Sequence, residues 1–302
     1  MNKFLKRIVS PDLSDEELAK LKENNKKRAS HLHEYTHGIH SDPITLFAIL
    51  FSAIIHDVDH PGVSNTQFAV EHPLLGERYH HKSVAEQNSL DVAWDVLMDT
   101  HFREMREYIF ETPQELLRFR QVVVNVVLAT DIFDPELNEI RKRRWNTAFS
   151  ESGDISPVDI NHARATVVIE HIMQASDVAH TMQHWHIYQR FNAKLFQEIA
   201  LAYRDGRCSA NPADFWYEGE LKFFDNYVIP LAQKLRDCNI FGVSSDECFN
   251  YAVRNRAEWE DRGRAIVAEY VQDLALQERK FGSRTTPRRG PSFAEEAKEE
   301  GL

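Results

Sequence analysis

The sequence predicts an all-α fold, on the basis of three observations. Apolar residues recur at helical spacing in segment after segment, no stretch of useful length alternates apolar and polar residues, and only 11 of the 302 residues are glycine. With 42% hydrophobic and 27% charged residues, the chain can bury a large core. We see no internal repeat and no linker between two domains.

The first 42 residues predict a surface helix and a histidine-rich loop. A short amphipathic segment, Asn2 to Val9, is followed after a proline by a helix from Ser14 to about Tyr35, capped by the Ser14 and Glu17 pair. Four histidines lie where this helix ends, namely His31, His33, His37 and His40. Because no carboxylates lie nearby, we interpret them as exposed or locally bonded rather than as a metal site.

The next segment predicts a buried helix that ends in a metal-binding turn. Asp42 precedes Pro43, a residue suited to the first position of a helix, and the helix runs to about His56. It is apolar almost all round, which predicts burial on every side. Residues 56–62 read H-D-V-D-H-P-G, and buried charge of this density is costly unless it is paired or binds a metal. The alternative is a solvated polar turn.

Capping patterns predict the helices after this turn. Ser83 with Glu86, and Thr112 with Glu115, form capping-box sequences, and a third helix begins after Ser156. This third helix is apolar and ends at Asp177, which makes that residue a candidate for a distant metal ligand.

The C-terminal half predicts a core helix over residues 185–203, a loop marked by residues 206–219, and a helix over residues 221–235 with a kink at Pro230. The last long helix is expected over residues 244–277. Residues 280–302 are expected to form a disordered polar tail.

Charge and composition exclude several classes of function. The net charge of -11 argues against nucleic acid as the main partner, and we interpret the basic run at residues 141–144 as a solvated helix end paired with Glu136 and Glu139. The longest apolar run, residues 44–55, is shorter than the roughly 20 residues of a membrane span. Three cysteines without C-x-x-C spacing fit a reducing cytoplasm.

A family resemblance is carried by five segments. Residues 54–65 read I-I-H-D-V-D-H-P-G-V-S-N and resemble the H-D-x-D-H-P-G-x-x-N signature of the class I 3',5'-cyclic nucleotide phosphodiesterase catalytic domain, a member of the HD superfamily. Four more landmarks appear in the family's order, namely S-V-A-E at 83–86, V-L-A-T-D at 127–131, A-S-D at 175–177 and F-F-D-N-Y-V-I-P-L at 223–231. The resemblance implies a compact multi-helix HD-type catalytic domain over residues 1–279.

The resemblance also implies a site for two divalent metals. It makes His56, Asp57 and Asp177 ligands of a first metal, zinc, and makes Asp57 a bridge to a second metal, magnesium or manganese. His60 and Glu86 would lie behind these ligands and orient them and a water. The implied activity is hydrolysis of a cyclic nucleotide to the 5'-monophosphate by hydroxide formed between the metals.

The substrate pocket is implied by the same resemblance. Phe223 matches the aromatic residue that stacks on the base, and Leu195 would form the opposite wall. Glu220 stands where the family has a glutamine; an ionised carboxylate only accepts hydrogen bonds, so we expect it to favour a purine edge that offers donors. The sequence does not distinguish cAMP from cGMP and indicates no oligomeric state.

One motif of the family has no counterpart. Residues 1–55 contain no Y-H-N-x-x-H-A, whose histidines serve the family as proton donor and as a metal ligand, and residues 3–9 resemble the segment located just after that motif in the family. We therefore expect a catalytic domain without its N-terminal helices, with little or no hydrolytic activity. The alternatives are another HD-type phosphohydrolase and a non-catalytic helical module that binds a nucleotide or a partner.

Overall fold

The structure is a computed structural model that describes residues 1–6, 8, 33–149, 157–241 and 245–282. Helices are the regular secondary structure of these residues, which confirms the predicted all-α class. The α-helices are α1 Asn2–Leu5, α2 Pro43–Ile55, α3 Asn65–Glu71, α4 Pro73–Arg78, α5 Val84–Met98, α6 Arg103–Ile109, α7 Pro113–Leu128, α8 Pro135–Phe149, α9 Pro157–Asp177, α10 Trp185–Arg204, α11 Pro212–Phe223, α12 Ile229–Asp237 and α13 Asp246–Gly282.

Helix α2 begins and ends where the sequence predicts. The Asp42 side chain accepts a hydrogen bond from the backbone N–H of Ile44 at 3.2 Å, and Pro43 occupies the first turn. The expected burial on every side is wrong, because Phe47, Leu50 and Ile54 form an exposed stripe, with Ile54 78% exposed. Helices α7 and α9 cover the opposite face, so α2 is buried on one face and exposed on the other.

The predicted capping box at the start of α5 is wrong. Ser83 has a left-handed backbone with φ +40°, and its hydroxyl donates to Asp131 Oδ2 at 2.7 Å instead of capping the helix. The Glu86 carboxylate accepts from Asn65 Nδ2 at 3.0 Å. Both side chains therefore make tertiary contacts in place of local ones. The box predicted at Thr112 is present, and it opens α7.

Helices α11 and α12 follow each other without a break. Helix α11 already begins at Pro212, so the loop expected through Gly219 is wrong for its second half. A π-helical turn at Phe224–Val228 joins the two helices, and Pro230, which has no backbone N–H to donate to that turn, lies in the first turn of α12. The sequence predicts a kink at Pro230, and the structure has a π-helical turn directly before this residue.

The main core lies where α9, α10, α12 and α13 meet. Trp259, Tyr188 and Phe224 are fully buried there, and the Tyr188 ring meets the other two edge-on at centroid distances of 5.8 and 5.3 Å. None of the described helices is both long and apolar enough to cross a membrane.

Two predicted segments fall largely outside the described residues. Of the helix expected from residue 14 to 35, only residues 33–35 are described, and they are helical. Of the expected tail, only residues 280–282 are described, and they complete α13.

The basic run on α8 is not the solvated helix end that the sequence predicts. Arg141 is buried and donates to the backbone carbonyl of Asp131 at 2.8 Å and to Asn138 Oδ1 at 2.6 Å. Arg144 forms an ion pair with Glu170 of α9. The two basic residues between them are exposed. The run therefore divides by helical face, and half of it ties α8 to its neighbours.

Candidate metal centre

His56 places one imidazole nitrogen between two carboxylates. It caps the C-terminal end of α2, and its Nδ1 lies 3.2 Å from the carbonyl oxygen of Ala53, so this nitrogen donates to the backbone. Its Nε2 lies 3.3 Å from Asp57 Oδ2 and 3.5 Å from Asp177 Oδ1. A backbone contact of this kind fixes the orientation and the tautomer of the ring, so that the other nitrogen can face a metal ion.

The same contacts set the electrostatics of the group. Burial of His56 opposes its charge, but hydrogen bonds to Asp177 and Asp57 outweigh burial and raise the pKa of the imidazole to about 10. The hydrogen bond from His56 lowers the pKa of Asp57, against the opposing effect of burial, and the charge of His60 lowers it further. Two carboxylates thus favour a positive charge at this point.

The donor set and its spacing are compatible with a divalent metal ion such as zinc. His56, Asp57 and Asp177 each offer one ligand atom, and these three atoms lie within 4.8 Å of one another. Ligand atoms at usual zinc distances and tetrahedral angles are separated by about 3.4 Å. The two measured separations from Nε2 match this value, so a cation at the centre of the group needs little rearrangement.

Side chains of α5 hold the turn after His56 in place. Asp59 has a left-handed backbone with φ +62°, which is costly for a residue other than glycine. Asn88 Nδ2 donates to Asp59 Oδ2 at 3.1 Å, and Ser89 Oγ donates to the Val58 carbonyl at 2.7 Å. Sequence reasoning missed Asn88 and Ser89, because an amide and a hydroxyl at these positions match no pattern.

The end of the turn depends on Gly62. This glycine has φ +70°, and a Cβ placed on it would lie 3.1 Å from Glu198 Oε1 of α10. Its backbone N–H donates to His60 Nδ1 at 3.2 Å, and the His60 side chain is exposed. His60 therefore lies beside the group of three ligands rather than within it.

Asn65 joins Glu86 to the rest of the site. Its amide donates to Glu86 Oε2 at 3.0 Å and lies 3.4 Å from Asp131 Oδ2, and its oxygen accepts from the backbone N–H of Ala85 at 2.7 Å. Burial, together with the charges of Asp131 and Asp57, raises the pKa of Glu86 despite the bond from Asn65. Asn65 and Asp131 both stand in motifs of the family, but their residue type alone gave them no role.

Glu220 lies in a buried network of hydrogen bonds. Its Oε2 accepts from the Tyr188 hydroxyl at 2.7 Å, and Trp216 Nε1 donates to Asn192 Oδ1 at 3.1 Å beside them. Burial raises the pKa of Glu220 to about 7, against the opposing effect of hydrogen bonds from Tyr188 and Asn192. The expectation of a fully ionised carboxylate therefore needs correction, since near neutral pH a large fraction carries a proton and can donate.

The other two expected nucleotide contacts lie on neighbouring helices. Phe223 follows Glu220 by one turn on α11, and its ring stacks on Tyr227 at a centroid distance of 5.3 Å. Leu195 lies on α10, which packs beside α11, and is 41% exposed.

One large cavity of the described residues lies away from the candidate metal centre. It has a volume of about 1100 Å³ and lies at the opposite end of α2, where its lining includes His37, Thr45, Arg118 and Asn161. Because α2 is 13 residues long, roughly 20 Å separates its two ends. The volume of a cavity therefore does not identify the candidate metal centre in this chain.

A helical domain that presents a His-Asp pair at one helix end and an aspartate at another has the features of an HD-type metal-binding domain. Residues 29–240 match the model of the 3',5'-cyclic nucleotide phosphodiesterase family, and the chain belongs to this family.

Curated relatives agree with this assignment. A probable 3',5'-cyclic-AMP phosphodiesterase, pde-4 of Caenorhabditis elegans, is 25% identical over 155 residues, which are 51% of this chain and 23% of the relative. The human dual specificity calcium/calmodulin-dependent 3',5'-cyclic nucleotide phosphodiesterase 1C is 28% identical over 156 residues, 52% of this chain and 20% of the relative. The matched region thus spans about a quarter or less of each relative.

A solved structure shows the same fold. The phosphodiesterase domain of Salpingoeca rosetta rhodopsin phosphodiesterase superposes with a TM-score of 0.58 at 21% identity, covering 83% of this chain and 77% of that chain.

Replacing Asp177 is expected to abolish tight metal binding. Asp177→Asn removes one of the three candidate protein ligands, so we expect the affinity for Zn²⁺ to fall by roughly 100-fold or more, measured by titration calorimetry. Asp205→Asn is the matched control, because Asp205 is an exposed aspartate paired with Arg204 outside the site. Equal affinities in both variants would exclude Asp177 as a ligand.

Replacing Glu220 is expected to flatten the dependence of stability on pH. Because the pKa of Glu220 in the folded chain is about 7 against an ordinary 4.5, the folded chain keeps a proton that the unfolded chain releases. The carboxyl therefore contributes most stability below pH 4.5, and this contribution is lost as pH rises through 7. Between pH 5 and 8 the wild-type chain should lose up to roughly 3 kcal/mol relative to Glu220→Gln, measured by denaturant unfolding. Parallel pH profiles would contradict the raised pKa.

Replacing Asn65 is expected to destabilise the region around α5. Asn65→Ala leaves the Glu86 carboxylate and the Ala85 N–H without their partner, so the free energy of unfolding should fall by about 1–3 kcal/mol. Gln67→Ala on the same helix removes a bond to the more exposed Glu71 and should cost less. A larger loss of unfolding free energy in Gln67→Ala than in Asn65→Ala would show that Asn65 is not a central contact.

Proposed function

We propose that this chain forms part of a domain that hydrolyses a 3',5'-cyclic nucleotide, cAMP, cGMP or both, to the 5'-monophosphate. The observation that carries the proposal is the convergence of His56, Asp57 and Asp177, in a chain of the cyclic nucleotide phosphodiesterase family. The names of the relatives include both a cAMP enzyme and a dual specificity enzyme, so they support the class of substrate without choosing the base.

We assign His56, Asp57 and Asp177 to zinc, and Asp57 also to a second cation, magnesium or manganese. A mixed nitrogen and oxygen donor set suits the first cation, and a carboxylate suits a hard second one. When bound, the cations supply Lewis acidity toward phosphate oxygens and lower the pKa of water at the site.

Residues around the ligands supply orientation. We assign to His60 the electrostatic support of the ionised Asp57, whose pKa it helps to lower. Glu86 accepts a hydrogen bond from Asn65. Its raised pKa suits a group that binds or transfers a proton near water.

The nucleotide is assigned to residues of α10 and α11. Phe223 would stack on the base with Leu195 opposite, and Glu220 would contact the polar edge of the purine. A carboxyl with a pKa of about 7 can both donate and accept, as an amide does. We therefore expect Glu220 to tolerate either purine edge near neutral pH.

The proton for the leaving 3' oxygen lacks an assigned donor in this chain. Residues 1–55 do not contain the histidine that serves this role in the family. A second candidate function is a module that binds a cyclic nucleotide without hydrolysing it. Three free thiols support a cytoplasmic location, and the net charge of -11 argues against a nucleic-acid partner.

Two substrates with different leaving groups separate these functions. Bis(4-nitrophenyl) phosphate releases a phenolate that needs no protonation, whereas a cyclic nucleotide releases an alkoxide that does. With Zn²⁺ and Mn²⁺ added, we expect the chain to hydrolyse the activated ester and to hydrolyse cAMP and cGMP slowly, with the roughly 10²- to 10⁴-fold loss that a missing general acid causes. Asp177→Asn should abolish both activities.

Other outcomes would change the proposal. Metal-loaded chain that binds cyclic nucleotide but does not hydrolyse the activated ester would support the non-catalytic module. Fast cyclic nucleotide turnover would show that the chain contains its own proton donor. A faster reaction with another phosphate ester, unaffected by Phe223→Ala, would indicate a different HD-type phosphohydrolase.

A further inference from the structure

The space between α7 and α8 is a cavity that the proposed function does not use. These helices are consecutive in the chain but diverge, because α7 packs mainly against α2 and α8 packs mainly against α9. The α7–α8 groove, as we name the space between residues 117–129 and 137–144 with Glu170 at its base, has a volume of about 530 Å³. Sites for small molecules usually have volumes of about 300–1,000 Å³.

Aliphatic side chains form the walls of the α7–α8 groove. On α7 they recur at intervals of about one or two turns, so the lined stretch of that helix is roughly 17 Å long. The wall residues are Leu117, Val124 and Leu128 of α7 and Leu137 and Ile140 of α8. Leu117 is 57% exposed at the open end. A hydrocarbon chain would therefore bury apolar surface along the groove.

Positive charge exceeds negative charge along the α7–α8 groove. Arg120, Arg141 and Arg144 line it, and Glu170 is its only acidic residue among the described ones. Glu170 Oε1 is already paired with Arg144, and Glu170 Oε2 has no hydrogen-bond partner in the described part of the chain. Lys234 of α12 lies near enough to Arg141 and Glu170 to interact with both charges.

The remaining guanidinium groups have neutral contacts. Arg141 donates to a backbone carbonyl and to the Asn138 amide, and Arg120 lies over the Trp94 ring at 5.1 Å. Outside the groove, the charges of Asp131 and Asp134 act on Arg141, and both carboxylates already accept hydrogen bonds. Asp131 accepts from the Ser83 hydroxyl and the Asp134 N–H, and Asp134 accepts from the Leu137 N–H. Guanidinium groups beside apolar walls favour a ligand with a carboxylate or phosphate group.

We propose that the α7–α8 groove binds a free anionic amphiphile, a molecule with one carboxylate or phosphate group on an aliphatic chain. The aliphatic chain lies against the walls, and the acid group meets the arginine side chains that line the groove. This site is separate from the metal centre, since His56, Asp57 and Asp177 do not line it. Its occupancy does not depend on hydrolysis of a cyclic nucleotide.

Titration calorimetry on the full chain tests the proposal with four ten-carbon probes below their micellar concentrations. Decanoate and decyl phosphate carry the acid group, decan-1-ol lacks the charge, and decyltrimethylammonium reverses it. We expect the two acids to bind at least about tenfold more tightly than the alcohol, because charge-assisted bonds to arginine are lost with the acid group. The cation should not bind.

Two substitutions place the binding in the groove. Arg120→Gln should weaken decanoate binding about tenfold and leave decanol binding unchanged. Leu137→Glu adds a negative charge to the wall and should weaken both acids. Arg103→Gln is the matched control, because Arg103 is an exposed arginine of α6 paired with Glu107. A thermal unfolding scan shows whether each variant folds. If either Arg120→Gln or Leu137→Glu fails to fold, the binding measured with the other variant decides the test.

Three results would overturn the proposal. Decanol binding as tight as decanoate binding would show that no acid group is recognised. Decanoate affinity that survives both Arg120→Gln and Leu137→Glu would place the probe elsewhere. Sedimentation with phosphatidylglycerol vesicles without binding of free decanoate would assign the basic residues to a membrane surface instead. Because none of these measurements uses a cyclic nucleotide, failure here leaves the proposed hydrolysis untouched.

Discussion

The attraction between the His56 imidazole and the carboxylates of Asp57 and Asp177 is the interaction on which the site depends. It joins the C-terminal ends of α2 and α9, two core helices whose ends are far apart in the chain. Two carboxylates so close together repel each other unless a cation lies between them. These carboxylates, against the opposing effect of burial, raise the pKa of His56, so a proton on the imidazole can balance their charge, and we propose the same position for a metal ion.

Helix α5 determines whether that attraction has a fixed geometry. Ser89 and Asn88 hold the turn after His56 from one side, and they do so although Asp59 has a costly left-handed backbone. The turn after His56 therefore takes its shape from side chains that lie about 30 residues further along the chain, and not from its own sequence alone.

Local signals predicted the local features, and tertiary contacts decided the rest. The limits of α2 and the capping box of α7 depend on neighbouring residues, and both are present. Ser83 carries the same local signal as Thr112, but its hydroxyl binds Asp131, a partner 48 residues away that no local rule includes. His56 and Asp57 stand out in the sequence, whereas Asp177 needed the family resemblance, because a single aspartate at a helix end is ordinary.

The buried network at Glu220 has a direction that the sequence could not show. The indole N–H of Trp216 can only donate, so Asn192 accepts with its oxygen, and its Nδ2 faces the Tyr188 hydroxyl at 3.4 Å. The hydroxyl must then donate onward to Glu220 Oε2. Burial of the Glu220 carboxyl favours its protonated form, whereas the donors of this network point toward the carboxyl and favour its ionised form. The pKa of about 7 is the balance of these two opposing effects, and it depends on tertiary neighbours that the residue type alone does not reveal.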